Sequence, residues 1–291
     1  MFRFLIILLC VVCSPVFAAV DFFEIKKSAL ISAASYEDPD VIVERLNQVE
    51  YSLVHHNVLA DSELSYFLAR APSGLQYLSY RGTANLENAL VDLDVSLKLD
   101  ANLNIQLHQG FGGAAKAAYE DVKSKLDKSQ PVIVTGHSLG GAVAVIMAMY
   151  LQRDSFLLNQ VITFGQPKVT NVTGASVFAN LPLIRVVTPK DIVPLVPPLS
   201  PLQLNPLQLQ EVDIFWHMGQ EVILLADKNY AITDGLKSMI RATKFVSSVP
   251  DETNIQAHQM GTYLSLIDQK IEGAQQVPYK TEISLFGFSL D

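Results

Sequence analysis

The chain has 291 residues, of which 49% are hydrophobic and 17% charged, and a formal net charge of −8. That apolar share suffices for a sizeable core and excludes a disordered or low-complexity chain. An acidic balance without any Lys/Arg cluster excludes the basic stripe by which nucleic acid is held.

The first eighteen residues read as a targeting segment. Arg3 supplies a basic start, residues 4–12 an apolar run, and Val16 and Ala18 the small residues of a cleavage site after Ala18. The run is short for a membrane span of about 20 residues, so a cleaved signal peptide and export, to the periplasm or the medium, are expected. An uncleaved anchor is the alternative. Cys10 and Cys13 both lie in this segment. The chain from Ala19 to Asp291 is therefore expected to hold no disulfide, no thiolate nucleophile and no cysteine metal site.

Residues 21–36 show helical spacing through Phe22, Ile25, Ala29, Ile31 and Ala33. Asp38-Pro39-Asp40 interrupts the pattern and starts another short helix. Residues 64–71 and 75–81 read as strands joined by the turn Ala71-Pro72-Ser73-Gly74. Residues 111–126 are helical, with Ala114, Ala118, Val122 and Leu126 on one face. Pro131-Val132-Ile133-Val134-Thr135 is a buried-strand run, and residues 142–151, apolar on all sides, form a buried helix. Residues 161–164 and 183–187 are two more buried strands, and 214–216 with 221–225 suggest a closing strand pair around Met218-Gly219. Residues 193–209 are rich in Pro and Leu and nearly free of charge, and are expected to form a loop with exposed apolar character. The alternation of strands and helices predicts a mainly parallel sheet with helices on both faces, in one domain spanning 19–291.

Gly136-His137-Ser138-Leu139-Gly140 stands between the strand ending at Thr135 and the buried helix. A serine in Gly-x-Ser-x-Gly at a strand-to-helix turn is lifted above the sheet edge, next to the free N–H groups of the helix start. The other possibility for the motif is a plain Gly-rich turn, but its placement between buried strand and buried helix points to Ser138 as a nucleophile. A serine hydroxyl needs a base. The chain has six histidines: His55, His56, His108, His137, His217 and His258. His137 belongs to the turn itself and must point away from the Ser138 hydroxyl. The chain order of this motif calls for a downstream base, which leaves His217 or His258. Asp191, on the loop after the strand 183–187, fits the acid that orients it.

Tyr80-Arg81-Gly82-Thr83, His108-Gln109-Gly110-Phe111, Gly136-His137-Ser138-Leu139-Gly140-Gly141, Phe164-Gly165-Gln166-Pro167, and Arg185-Val186-Val187 through Asp191-Ile192-Val193-Pro194 occur in this order along the chain. Together they resemble the class 3 lipases, the fungal-lipase-like α/β-hydrolases, over residues 64–265. The resemblance implies an α/β-hydrolase fold with Ser138 as nucleophile and Asp191 as orienting acid. Gln256-Ala257-His258-Gln259-Met260 with Tyr263 is similar to the family's late histidine block and implies His258 as base. His217 matches a block in which the histidine is structural. By the same resemblance the backbone N–H groups of Thr83 and Leu139 form the oxyanion hole, and residues 84–93, with Leu86, Ala89, Leu90 and Leu93 at helical spacing, stand where a lid would be. The implied activity is hydrolysis of carboxylic esters of lipids of the triacylglycerol type, with a lipid or ester substrate met at an interface and without metal or cofactor. Phospholipase A1 and lipid acyltransferase chemistry use the same residues, and a catalytically inactive binding protein is the alternative outside enzymes.

Overall fold

The computed structural model describes residues 20–83, 96–197, 214–233, 238 and 251–279, and the backbone of 284–285 and 288–289. The expected signal peptide 1–18, the lid segment 84–93 and residues 198–209 of the Pro/Leu-rich stretch lie outside the described residues.

The described residues open with α1 (Phe22–Ala34) and α2 (Pro39–Asn47), and continue through β1 (Ser52–Leu59), β2 (Leu64–Arg70), β3 (Gln76–Tyr80), β4 (Leu97–Asp100) and β5 (Ile105–His108). Next come α3 (Gln109–Val122), β6 (Val132–His137), α4 (Leu139–Arg153), β7 (Leu158–Phe164), β8 (Thr170–Asn171), α5 (Val172–Val177) and β9 (Leu183–Val187). After a 3-10 turn at Val193–Leu195 follow β10 (Phe215–Trp216), β11 (Gln220–Leu224), β12 (Asn229–Thr233), α6 (Glu252–His258), α7 (Met260–Ile271) and β13 (Gln275–Gln276). Nine strands form the main sheet in the order β1-β2-β3-β6-β7-β9-β11-β12-β13. Its centre, from β3 to β11, is parallel, while β1, β2 and β12 pair antiparallel to their inner neighbours. β10, β8, β5 and β4 make a second, smaller sheet.

Alternation along β6 explains why helices cover both faces. Val132 and Val134 join the core that contains α3 and α4. Ile133 joins the core formed by the end of α1, by α2 and by β2 and β3. Thr135, on that same second face, bonds to the Ile162 carbonyl at 2.8 Å. Successive strand residues point to opposite sides, so a strand this apolar requires cover on both. Helix α4 is buried from Gly140 to Leu151. It lies between the sheet and α3, which accounts for the absence of a polar face in its sequence.

Two sequence expectations are corrected here. Residues 214–216 and 221–225 are not a strand pair. β10 pairs with β8 in the small sheet, whereas β11 lies parallel to β9 and takes β12 as its antiparallel partner. The chain turns between them at Gly219, at φ +73°. A hydropathy pattern shows that both runs are extended but carries no information on which edge each one meets. The start of the Pro/Leu-rich stretch is also not exposed: Val193, Pro194 and Leu195 are buried. The Lys168 ammonium donates to the Leu195 and Pro197 carbonyls and holds the turn inward. No helix among the described residues is long and apolar enough to cross a membrane.

Candidate active site

Strand β6 delivers Ser138, and α4 begins at the next residue. Ser138 has φ 58° and ψ −132°. That backbone conformation is costly for a residue with a side chain, on the order of 1–3 kcal/mol, and persists only where the surroundings enforce it. Here a bond from the Ser138 N–H to the Phe164 carbonyl, 2.9 Å, fixes the turn from the β7 side. On the other side, a Cβ at Gly140 would collide with the backbone of Tyr80 and Arg81. Only glycine lets the first turn of α4 approach β3 this closely. Leu139 opens α4, and its N–H belongs to the first turn, where a helix offers its own donors no intrahelical acceptor.

Thr83 ends the described part of the loop after β3 and is exposed. Its neighbour Gly82 sits against the turn: a Cβ there would lie 2.6 Å from the His137 carbonyl oxygen and 2.9 Å from the Ser138 Cβ. The loop 81–83 and the serine turn are therefore adjacent, as the sequence blocks imply.

Asp191 and His258 meet across 67 positions of chain. The His258 Nδ1–H donates to Asp191 Oδ2 at 2.9 Å, and both side chains are buried. Two polar ties hold their carriers together. Thr188 Oγ1 donates to the Ala257 carbonyl at 3.1 Å, and Asn254 Nδ2 to the Lys190 carbonyl at 2.9 Å. Asn254 also closes a capping box with Asp251 that starts α6. Gly165, at φ +57°, lets the end of β7 pass the pair. A Cβ there would stand 2.7 Å from Asp191 Oδ2 and 2.8 Å from His258 Nδ1.

Asp191 accepts two further bonds, from the Tyr263 hydroxyl at 2.5 Å and the Val193 N–H at 2.9 Å. Burial alone would raise its pKa. The charge and bond of His258, with the bonds from Tyr263 and Val193, outweigh burial and hold the carboxyl below its ordinary value. An ionised Asp191 only accepts, so His258 Nδ1 carries a hydrogen toward it. His258 Nε2 and Ser138 Oγ are both buried without a hydrogen-bond partner among the described residues. Buried polar atoms are rarely left so, and here the two are of the types that exchange a proton in nucleophilic catalysis.

His217, the other downstream histidine, lies elsewhere: it is buried and its Nε2 donates to the Pro194 carbonyl at 2.6 Å. Burial and the nearby charges of Arg185 and Lys168 push its pKa well below the ordinary value. Two contributors escaped the sequence reading. Tyr263 was legible as part of the late histidine block but not as a donor to Asp191. Tyr36, just past α1, bonds to His137 Nδ1 at 2.7 Å, and nothing in its sequence neighbourhood announces that. Among the described residues no cluster of three His, Cys, Asp or Glu side chains is placed to hold a metal ion.

A parallel-centred sheet with a serine at a strained strand–helix turn, and an acid–histidine pair on later loops, defines the α/β-hydrolase class. Residues 77–200 match the family described as Lipase (class 3). The lipase of Rhizomucor miehei is 35% identical over 137 residues, 43% of this chain and 38% of that protein. The Secreted mono- and diacylglycerol lipase 1 of Fusarium solani is 32% identical over 135 residues, 42% of this chain and 39% of that protein. Among solved structures, lipase II from Rhizopus niveus superposes with a TM-score of 0.58 at 26% identity, covering 71% of this chain and 81% of that one. The chain thus spans about two fifths of the length of the curated relatives it matches. The stretch that resembles the class 3 lipases holds Ser138, Asp191 and both oxyanion candidates but not His258.

Proposed function

We propose that the chain is an exported serine hydrolase of carboxylic esters, acting on lipids of the acylglycerol type. Ser138 is the nucleophile, His258 the base, Asp191 the orienting acid, and the N–H groups of Thr83 and Leu139 the oxyanion donors. The observation that carries this reading is the buried Asp191–His258 bond of 2.9 Å, together with the unpartnered His258 Nε2 and Ser138 Oγ.

His258 Nε2 takes the Ser138 proton as the oxygen attacks the ester carbonyl carbon. The ionised Asp191 stabilises the imidazolium without taking its proton. The tetrahedral oxyanion is held by two backbone N–H groups, each worth on the order of 3 kcal/mol of barrier. Collapse breaks the ester C–O bond, and the leaving alkoxide receives the proton from His258. Water then attacks the acyl–Ser138 ester, gives its proton to His258, and the acid departs as Ser138 recovers its hydrogen. The relatives' names support the substrate class, since they span lipase and mono- and diacylglycerol lipase. Export rests on residues 1–18 as a cleaved signal peptide, with 19–291 as one catalytic unit.

The test is hydrolysis by the purified chain lacking residues 1–18, on triacylglycerol emulsion, phospholipid vesicles and short p-nitrophenyl esters, with Ser138→Ala alongside. The expected result is turnover of acylglycerol that falls by about 10⁴ or more in the variant. Equal rates in both proteins would overturn the proposal, and faster turnover of the phospholipid would move its substrate class.

A further inference from the structure

His137 is the one residue of the serine turn for which the proposed chemistry has no use, yet it is buried and bonded at both ring nitrogens. Nε2 lies 2.7 Å from the His258 backbone carbonyl oxygen, and Nδ1 lies 2.7 Å from the Tyr36 hydroxyl. The Tyr36 oxygen in turn receives the Gly82 N–H at 3.1 Å. The His137 and His258 rings pack against each other at a tilt, with centroids 4.4 Å apart and planes at 33°.

Donor and acceptor capacity fixes every proton in this chain of bonds. A carbonyl oxygen only accepts, so His137 Nε2 bears a hydrogen. A neutral imidazole has one N–H, so Nδ1 accepts and Tyr36 donates to it. The Tyr36 oxygen then offers its lone pair to Gly82. One line of bonds runs from the loop that carries Thr83, through Tyr36 and His137, to the backbone of His258.

We propose that Tyr36 and His137 are positioning residues: a bridge of fixed tautomer that holds the His258 ring and the 82–83 loop in register with Ser138. The bridge rests on the hydrolase reading for its purpose and on the bonds alone for its existence. Reactive groups displaced by about 1 Å lose on the order of a hundredfold in rate, and His258, at the last turn of α6, has its side chain tied only through Nδ1. Its own carbonyl and its ring face are both set by His137. The groups that face the bridge are Tyr36 and Arg81 on one side and His258, Asp191 and Tyr263 on the other. Burial, and then the charge of His258, hold the His137 pKa down at about 3. His137 thus stays neutral, and keeps its donor and acceptor in place, while its neighbour gains and loses a proton.

The test compares the wild-type chain with Tyr36→Phe, His137→Ala and His137→Gln on a soluble ester, alongside nitrogen-15 NMR of the histidine rings. A glutamine amide presents one donor and one acceptor at the spacing of the two ring nitrogens. The expected result is a fall in kcat of about tenfold or more for Tyr36→Phe and His137→Ala with KM within about twofold, and partial recovery in His137→Gln. His137 should show one protonated Nε2 and an unprotonated Nδ1 from pH 5 to 9, and in Tyr36→Phe that single tautomer should be lost. Unchanged kcat in Tyr36→Phe, or a change confined to KM, would overturn the inference. So would an Nδ1–H tautomer of His137 in the wild type. Failure of the wild type on every ester brings down the hydrolase reading and the catalytic half of the inference, and the ring tautomer still decides whether the bridge exists.

Discussion

Asp191 shows how one carboxylate is prepared by its surroundings. It is buried, which by itself favours the protonated form, and three donors reverse that preference. A carboxyl whose folded pKa is depressed contributes stability that is present above its unfolded value, near 3.8, and is lost as pH falls through the folded value. Tyr263→Phe removes one donor to a charged acceptor, at a cost of about 1.5–3 kcal/mol. It should also bring the acid limb of stability to higher pH. Urea unfolding at pH 7 and pH 4 checks this: a variant as stable as wild type at both would mean that Tyr263 does not hold the carboxylate. Ser138 was singled out in sequence by its Gly-x-Ser-x-Gly turn and Asp191 by its place on the loop after a buried strand, whereas only the class 3 lipase resemblance preferred His258 to His217. Tyr263 and Tyr36 act across 72 and 101 positions, and a contact of that range leaves no periodic trace.

At the level of elements, the site depends on two carriers being pinned to each other. The loop after β9 is tied to α6 by Thr188 and Asn254, and its continuation is held by Lys168 and by His217. His217 is thus a support of the segment after Asp191. His217→Ala should cost about 1–3 kcal/mol through the unpaired Pro194 carbonyl and leave kcat within about threefold, an effect too small to move a reactive group. His258→Ala should lose about 10³ or more in kcat with little change in melting temperature. Rates that fell in His217→Ala and survived in His258→Ala would reverse the assignment. The strands of the parallel centre and the helix after Ser138 were evident from apolar runs alone, since burial on both faces writes itself into composition. The small sheet was not. β4, β5 and β8 are at most four residues long and their half-polar sequences resemble loops, while β10 was read as a strand but given the wrong partner. The partner of β11 was missed for the same reason: a run of strand residues reveals extension, not neighbours.

At the scale of the whole molecule, two of the buried histidines among the described residues, His137 and His217, have pKa values lowered by burial, and both act on stability with the same sign. The His137 pKa is lowered to about 3 and that of His217 lies well below 6.5, each chiefly through burial. Below about pH 6.5 the unfolded chain binds a proton at each position that the folded chain refuses. Stability therefore declines as pH falls from that value, by up to about 1.4 kcal/mol per pH unit for each histidine. The depressed carboxyl of Asp191 adds to the loss below about pH 4. Urea midpoints between pH 7.5 and 5 should fall steadily, with a smaller slope in His137→Gln; a flat profile would show that these rings are not held neutral. The cores on the two faces of the sheet, with α4 buried in one and α1 closing the other, make the frame on which, in the proposed function, three distant segments serve Ser138. The most direct measurement of that arrangement is covalent trapping with a p-nitrophenyl alkylphosphonate, read by intact mass and peptide mapping. One adduct per chain, on Ser138 and abolished by Ser138→Ala or slowed at least about a hundredfold by His258→Ala, is the result expected. An adduct on another residue, or equal labelling of the two variants and the wild type, would contradict the account.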